Sequence, residues 1–196
     1  MLAERALLDS VASKTGDTLV VVCYHLHGPY MIPKAQERED FYNTGYNLPH
    51  VIFDGTDAVF EANPQKYDSL YEIHYQLARG NIPYYNLSID SAFTGPSSAS
   101  FKLKIVAADT IPEGEIKAFI AITQDSLPGA YGFIFNRVCR SLYEFNLQLQ
   151  FPDSLTQQFE FTHNIPASKL RATVFIQNME TKEIMQTVST KFEEVK

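Results

Sequence analysis

The stretch that most constrains the fold is residues 44–55, TGYNLPHVIFDG. A turn leads to Pro49, a short apolar run follows directly, and Asp54-Gly55 then reverses the chain into a second short run. Proline tolerates the cis peptide bond far better than other residues, and in sheets it is confined to strand starts, edges and bulges. The pattern predicts a cis Leu48–Pro49 bond leading into a β-hairpin with an Asp-Gly turn.

The composition is that of a folded protein with a sizeable core. The 196 residues are 45% hydrophobic and 20% charged, with a net charge of −7. An acidic chain without clustered Lys and Arg argues against nucleic-acid binding. No apolar run approaches the roughly 20 residues that span a bilayer, so we expect no membrane span. The N-terminus lacks the pattern of a signal peptide, which by itself predicts a cytoplasmic protein.

Residues 1–80 alternate between helical and extended patterns. We predict helices at 3–15, 32–43 and 64–79, and strands at 19–24, 50–53 and 58–60. The run at 19–24 is apolar without alternation, which is typical of a strand covered on both faces. Gly16 is the expected stop of the first helix, and Pro33 suits the first turn of the second. That second helix carries a charged face, Glu37-Arg38-Glu39-Asp40. The third is expected to carry Tyr67, Leu70, Tyr71, His74 and Leu77 on one side.

After Pro83 the pattern changes to short strands separated by turns. The predicted strands are 85–92, 100–107, 116–123, 132–139, 145–151, 157–162, 170–177 and 184–192. Strands at such spacing predict a β-sandwich. We therefore predict an α+β protein of two domains, residues 1–82 and 83–196, with a boundary near 81–84.

Two cysteines, Cys23 and Cys139, are too few for a disulfide framework. Each lies inside a strand-like run, and a bridge between them would have to join the two domains. We expect both to be buried free thiols that act as small hydrophobic side chains.

Several short motifs follow one another along nearly the whole chain. They are GDTLVVV at 16–22, YH at 24–25, TGY at 44–46, Pro49, FDGT at 53–56, NRVCR at 136–140, VFIQN at 174–178, TKEI at 181–184 and Gln186. In this order they resemble a bacterial family of envelope and secreted proteins, many of them outer-membrane lipoproteins. In that family a thioredoxin-like domain is followed by an immunoglobulin-like β-sandwich. The resemblance implies an exported protein of the cell envelope.

The chain departs from that family at its start. Members usually carry a signal peptide, a first strand and often a CxxC motif just ahead of the helix that here begins near Leu2. In a thioredoxin-like sheet the missing strand lies between 19–25 and 50–53. We expect the gap to close by direct pairing of these segments, by a strand from the sandwich, or by a second chain in a homodimer.

Two groups of residues are candidate sites. In relatives of thioredoxin, backbone before the cis-proline pairs with extended peptides, so Leu48, Pro49 and His50 are candidates for binding a peptide or protein partner. The alternative is that Pro49 serves only the turn. Cys23, His25 and His27 alternate along one strand and would share a face. No further ligand stands at a telling spacing, so we expect structural or exposed side chains and no metal, with a soft divalent metal on these three residues as the alternative.

These features favour a non-catalytic binding or structural module of the bacterial cell envelope. No CxxC, GxSxG or glycine-rich phosphate loop is present, and we expect neither enzymatic activity nor a cofactor. The alternative is a thiol–disulfide oxidoreductase whose CxxC lies upstream of Met1.

Overall fold

The computed structural model describes residues 2–11, 19–45, 47–80 and 82–195. The end of the predicted first helix with Gly16, the first part of the 16–22 motif, Tyr46, and Asn81 at the predicted boundary lie outside the described residues. The helices are α1 (Leu2–Arg5) with a π-helix (Ala6–Val11), α2 (Pro33–Tyr42) and α3 (Tyr67–Ala78), with 3-10 turns at Pro64–Lys66, Ala130–Gly132 and Ala167–Lys169.

Strands make up most of the regular structure. They are β1 (His50–Phe53), β2 (Asp57–Phe60), β3 (Tyr85–Thr94), β4 (Ser98–Ala107), β5 (Ile116–Gln124), β6 (Leu127–Pro128), β7 (Ile134–Phe135), β8 (Val138–Asn146), β9 (Ser154–Thr162), β10 (Leu170–Asn178), β11 (Ile184–Lys191) and β12 (Glu193–Glu194). The protein is thus mixed α+β, with several sheets and few helices. Within the described ranges no helix is long and apolar enough to cross a membrane.

Helix α2 begins and ends as its sequence predicts. Pro33 occupies the first turn, and Asn43 closes the helix in the left-handed conformation with its N–H bonded to Glu39 O. The prediction of a charged surface at 37–40 is wrong in part, because Arg38 and Glu39 are buried.

The hairpin of β1 and β2 is antiparallel and pairs His50 with Phe60 and Phe53 with Asp57. The Leu48–Pro49 peptide bond before it is cis. Asp54 and Gly55 at the turn both have positive φ, 45° and 80°, which is the backbone that the Asp-Gly pair favours.

The apolar run at 19–24 does not form the predicted strand. Its only ladder contact among the described residues is an isolated parallel bridge between Cys23 and Val138. Cys23 N–H donates to Arg137 O, and Cys139 N–H donates to Cys23 O, both at 2.9 Å. The segment is nevertheless covered on two faces, because Leu19 and Val21 pack with the helices while Val22 and Tyr24 pack on the sandwich.

Two four-stranded sheets form the C-terminal part, in the orders β11-β10-β5-β8 and β12-β3-β4-β9. Every pairing within them is antiparallel except the short one between β12 and β3. Side chains from both sheets, such as Phe101 and Ile120, share one large core. The predicted strands at 132–139 and 145–151 are misplaced. The first range holds the short strand β7, and β8 (Val138–Asn146) begins in the first range and ends in the second. Residues 147–150 keep alternating burial but make no ladder.

A separate apolar cluster joins the outer face of one sheet to the N-terminal part. It contains Phe119, Ala121, Cys139, Leu142 and Phe175. Successive residues of β5 therefore face opposite cores, which explains why this strand is apolar at almost every position.

Candidate functional site

The cis-proline loop lies at the open side of the β1–β2 hairpin. Leu48 is 55% exposed, while Pro49 and His50 are partly buried. The Nδ1 atom of His50 is buried and has no hydrogen-bond partner among the described residues. Burial lowers the pKa of His50, against a smaller opposing effect of Glu39, so the neutral imidazole is favoured.

Strand β1 pairs on one edge alone. Its partner is β2, and no other strand of the described residues pairs with it. A strand edge without a partner presents backbone N–H and C=O groups to an incoming chain. The residues that the sequence singled out, Leu48 to His50, thus lead directly into a strand edge that pairs with no other described strand.

The sandwich fixes the position of this hairpin. Ile184 N–H donates to Asp54 O at 2.8 Å, so strand β11 holds the turn. Gly55 lies so close to the loop before β11 that an added Cβ would be 1.9 Å from Lys182 O. The amide of Gln177 donates to the same Lys182 oxygen at 2.6 Å. The turn end of the hairpin is therefore held against the sandwich, at the opposite end of β1 from Pro49.

A buried arginine ties α2 to the same place. The Arg38 guanidinium carbon lies 4.8 Å from the ring centres of Phe41, Tyr42 and Phe119 and 5.7 Å from that of Phe175. It donates 2.7 and 2.8 Å hydrogen bonds to Gln177 Oε1 and Tyr42 Oη. The aromatic faces and the two acceptors together stabilise a cation at a position with 6% exposure.

The structure does not assemble the candidate metal ligands. No group of three or more His, Cys, Asp or Glu residues in the described ranges is placed to hold a metal ion. His25 packs edge-on against Tyr30 and Phe135, with ring centres 5.8 and 4.7 Å away, and burial lowers its pKa. His27 is exposed. The two histidines thus stand in different environments.

Both cysteines are free and neither is poised as a thiolate. Burial raises the pKa of Cys23 and that of Cys139 to about 12, with a further increase at Cys23 from Glu4. The Cys139 Sγ lies 3.4 Å from Ser141 O. Thiol–disulfide exchange needs the thiolate, so these two side chains are unsuited to it.

Sequence patterns missed one hydrogen-bonded pair near the hairpin. His74 Nδ1 lies 2.6 Å from Asp57 Oδ2, and its ring stacks on Phe53 at 5.9 Å. The residues come from α3 and β2, so nothing in their local spacing indicates that they meet. The helical stripe that did signal contact was itself wrong in part, because α3 buries Tyr67, Tyr71 and Tyr75 while Leu77 is 67% exposed.

Comparisons with known proteins show the fold and little else. No protein-family model and no curated protein matches the chain. Among solved structures, HBP35 of Porphyromonas gingivalis matches with a TM-score of 0.63 at 8% identity, over 82% of this chain and 58% of that one. The chain therefore spans somewhat more than half the length of that protein, and the likeness at this identity concerns fold alone.

Weaker matches accompany it. A domain of the outer membrane lipoprotein Omp28 from Porphyromonas gingivalis has a TM-score of 0.35 at 15% identity, over 59% of this chain and 93% of that one. A beta-glucosidase from Kluyveromyces marxianus has a TM-score of 0.34 at 8% identity, over 57% of this chain and 14% of that one. At such TM-scores neither match supports an argument about this chain.

Proposed function

We propose that this chain is a non-catalytic binding module of the bacterial cell envelope that takes up an extended peptide beside Leu48, Pro49 and His50. In this proposal residues 1–82 form a thioredoxin-like domain without a redox centre, and residues 83–196 form an immunoglobulin-like sandwich. The fold likeness to HBP35 and the motif order described above support this assignment.

The observation that carries the proposal is the open edge of β1 directly after the cis Leu48–Pro49 bond. An extended peptide would add to this edge as a strand, with main-chain hydrogen bonds providing affinity. The exposed Leu48 side chain would contact an apolar side chain of the peptide. The buried Nδ1 of His50 has no described partner and offers an acceptor for a peptide donor.

The thiol chemistry argues against catalysis by these residues. An oxidoreductase would need thiols other than Cys23 and Cys139, whose raised pKa values keep them protonated at neutral pH. The alternative of thiol–disulfide exchange therefore gains no support from the two cysteines of this chain.

The test uses a library of extended, β-branched peptides and isothermal titration calorimetry of the best binders. Leu48→Glu should weaken binding roughly tenfold or more, because it places a charge at an apolar contact. Leu77→Glu, on the outer face of α3, is the matched control and should bind as the wild type does. A peptide with N-methyl groups on alternate amides should lose binding. Equal affinity of the methylated peptide would contradict strand addition.

The same edge could instead be filled by a second copy of the chain, as the predicted homodimer requires. Sedimentation velocity over a dilution series separates the two occupants. If the chain is a monomer at every concentration, no second copy occupies the edge of β1 and a peptide is the proposed occupant. A dimer that Leu48→Glu dissociates, and Leu77→Glu does not, assigns the edge to the second copy.

A further inference from the structure

The hairpin of β6 and β7 carries apolar side chains into solvent. Tyr131 at its tip is 97% exposed and Ile134 is 56% exposed. Met31, which follows Tyr30 in the sequence, is 44% exposed. Tyr131 also holds a left-handed backbone, with φ 57° and ψ 30°. A bulky residue in this conformation at a tip is uncommon, and it directs a large side chain away from the protein.

The hairpin is buttressed, so these side chains are presented at a fixed place. Tyr30 donates a 2.7 Å hydrogen bond to Pro128 O. The rings of Tyr30, His25 and Phe135 pack edge to face, with centres 4.7 to 6.2 Å apart. Phe135 also packs on Gly129, where an added Cβ would lie 2.8 Å from its ring. Ordered apolar groups in solvent indicate a contact surface.

The charge around this hairpin is opposite to that of the chain. The whole sequence carries 23 acidic residues, yet none occurs in 19–34 or in 126–143. Arg140 is partly buried; its guanidinium lies 5.3 Å over the Tyr30 ring, and its buried Nη1 has no hydrogen-bond partner in the described part of the chain. Lys169 Nζ lies 3.5 Å from Ser126 O at the base of the hairpin. Asp125, just before the hairpin, forms ion pairs of 3.1 and 3.4 Å with Arg137 and Arg171. Arg140 and Lys169 add to these basic side chains, so the surface is apolar at the tip and carries an excess of positive charge at the base.

We propose that this hairpin binds a lipid bilayer with anionic headgroups. Tyr131 and Ile134 would enter the interface between headgroups and acyl chains, where tyrosine is favoured because one end of it is apolar and the other polar. Arg140 and Lys169 would stand at the level of the phosphates. Interfacial binding grows with buried apolar area and with attraction to anionic lipid, and the hairpin supplies both. This inference is independent of the proposed peptide site, because that site lies on β1 and not on the β6–β7 hairpin.

Co-sedimentation of the full chain with vesicles tests it, using phosphatidylcholine alone and a mixture with phosphatidylglycerol. The wild type should bind the anionic vesicles, and the Tyr131→Ser/Ile134→Ser double variant should bind them roughly tenfold less tightly or worse. The matched control is Ile73→Ser/Leu77→Ser, two apolar residues of α3 that are 58% and 67% exposed. Thermal unfolding confirms that both double variants fold.

A second variant separates charge from insertion. Arg140→Gln should weaken binding to anionic vesicles about fivefold and leave binding to neutral ones unchanged. The proposal would be overturned if Tyr131→Ser/Ile134→Ser and Ile73→Ser/Leu77→Ser lost affinity for anionic vesicles equally. It would also be overturned by a wild type that stays in the supernatant with both kinds of vesicle, which is the result expected if the hairpin contacts a protein instead.

Discussion

Nη2 of Arg38 donates a 2.7 Å hydrogen bond to Oε1 of Gln177, and this bond joins helix α2 to strand β10 of the sandwich. Neither residue is accessible: Arg38 is 6% exposed and Gln177 is fully buried. The Gln177 amide continues the connection to Lys182 O, against which Gly55 packs. One chain of contacts therefore runs from α2 through the sandwich to the turn of the β1–β2 hairpin.

We predict that Arg38→Ala lowers the free energy of unfolding by about 3 kcal/mol. The change removes two hydrogen bonds from a charged donor and leaves an acceptor of Gln177 buried without a partner. It also removes the cation from beside the stacked rings of Phe119 and Phe175. Urea unfolding followed by circular dichroism measures the loss.

Two further variants show whether the bond itself is responsible. The cycle of Arg38→Ala, Gln177→Ala and the double variant should give a coupling energy above about 0.5 kcal/mol, because the residues share one bond. Arg79→Ala is the control: Arg79 also lies over a ring, that of Tyr75 at 5.8 Å, but is exposed, so its loss should stay within about 0.5 kcal/mol. Strict additivity of the two buried substitutions would contradict the assignment.

We predict different costs for alanine at two glycines with nearly the same backbone. Gly28 has φ +81° and nothing within 4 Å of an added Cβ, whereas Gly55 has φ +80° and Lys182 O at 1.9 Å. Gly28→Ala should therefore cost about 1 kcal/mol, the expense of the left-handed conformation alone. Gly55→Ala should lower the free energy of unfolding by roughly a further 1–3 kcal/mol, because the β1–β2 hairpin must move away from Lys182 to make room for the Cβ. Equal effects in urea unfolding would show that the hairpin does not pack on Lys182.

We predict that both cysteines react slowly with Ellman's reagent in the native protein. With a pKa of about 12, only about one thiol in ten thousand is ionised at pH 8. Two equivalents should react at once in guanidinium chloride. A native protein that releases a full equivalent within seconds would show that one thiol is accessible and activated.

We predict that stability falls as pH rises from about 9 toward 12. Burial raises the pKa of the Cys139 thiol from an ordinary value near 9 to about 12, so the unfolded chain loses this proton first. The stabilisation is complete below pH 9 and is lost as pH rises through the folded pKa; Tyr85, raised to about 12, adds to the decline above pH 10. Urea midpoints between pH 8 and 10.5 measure it. Cys139→Ala should flatten the lower part of this curve, and an unchanged curve would contradict the role of the thiol.

Local sequence patterns correctly predicted the elements that are defined by residues within them or at their ends. Helix α2 is bounded by Pro33 and Asn43 as expected, and the Asp54-Gly55 turn stands where its φ angles require these residues. Six of the predicted sandwich strands occur close to their expected bounds, because alternating burial has a fixed period of two. The shared face of Cys23, His25 and His27 was argued from alternation along a strand, but this segment makes one isolated bridge and no ladder among the described residues.

The cis-proline loop was predicted in part from local sequence and in part depends on tertiary structure. Leu48, Pro49 and His50 could be singled out because proline constrains its own backbone and that of its neighbour. That β1 leaves one edge open depends on the absence of a pairing strand among the described residues, which no pattern within 44–55 encodes.

Local sequence was enough to place the Asp54-Gly55 reversal, the ends of α2 and six of the sandwich strands, since steric limits on φ and ψ and the period of a strand act within a few residues. Tertiary structure alone decided that Arg38 is buried, that the run at 19–24 joins β8 through Cys23, and that the hairpin rests on Lys182. Each of these depends on contacts between residues 114 to 139 positions apart, such as Arg38 with Gln177. Their free energy comes from burial and hydrogen bonding between distant segments, which local sequence cannot express.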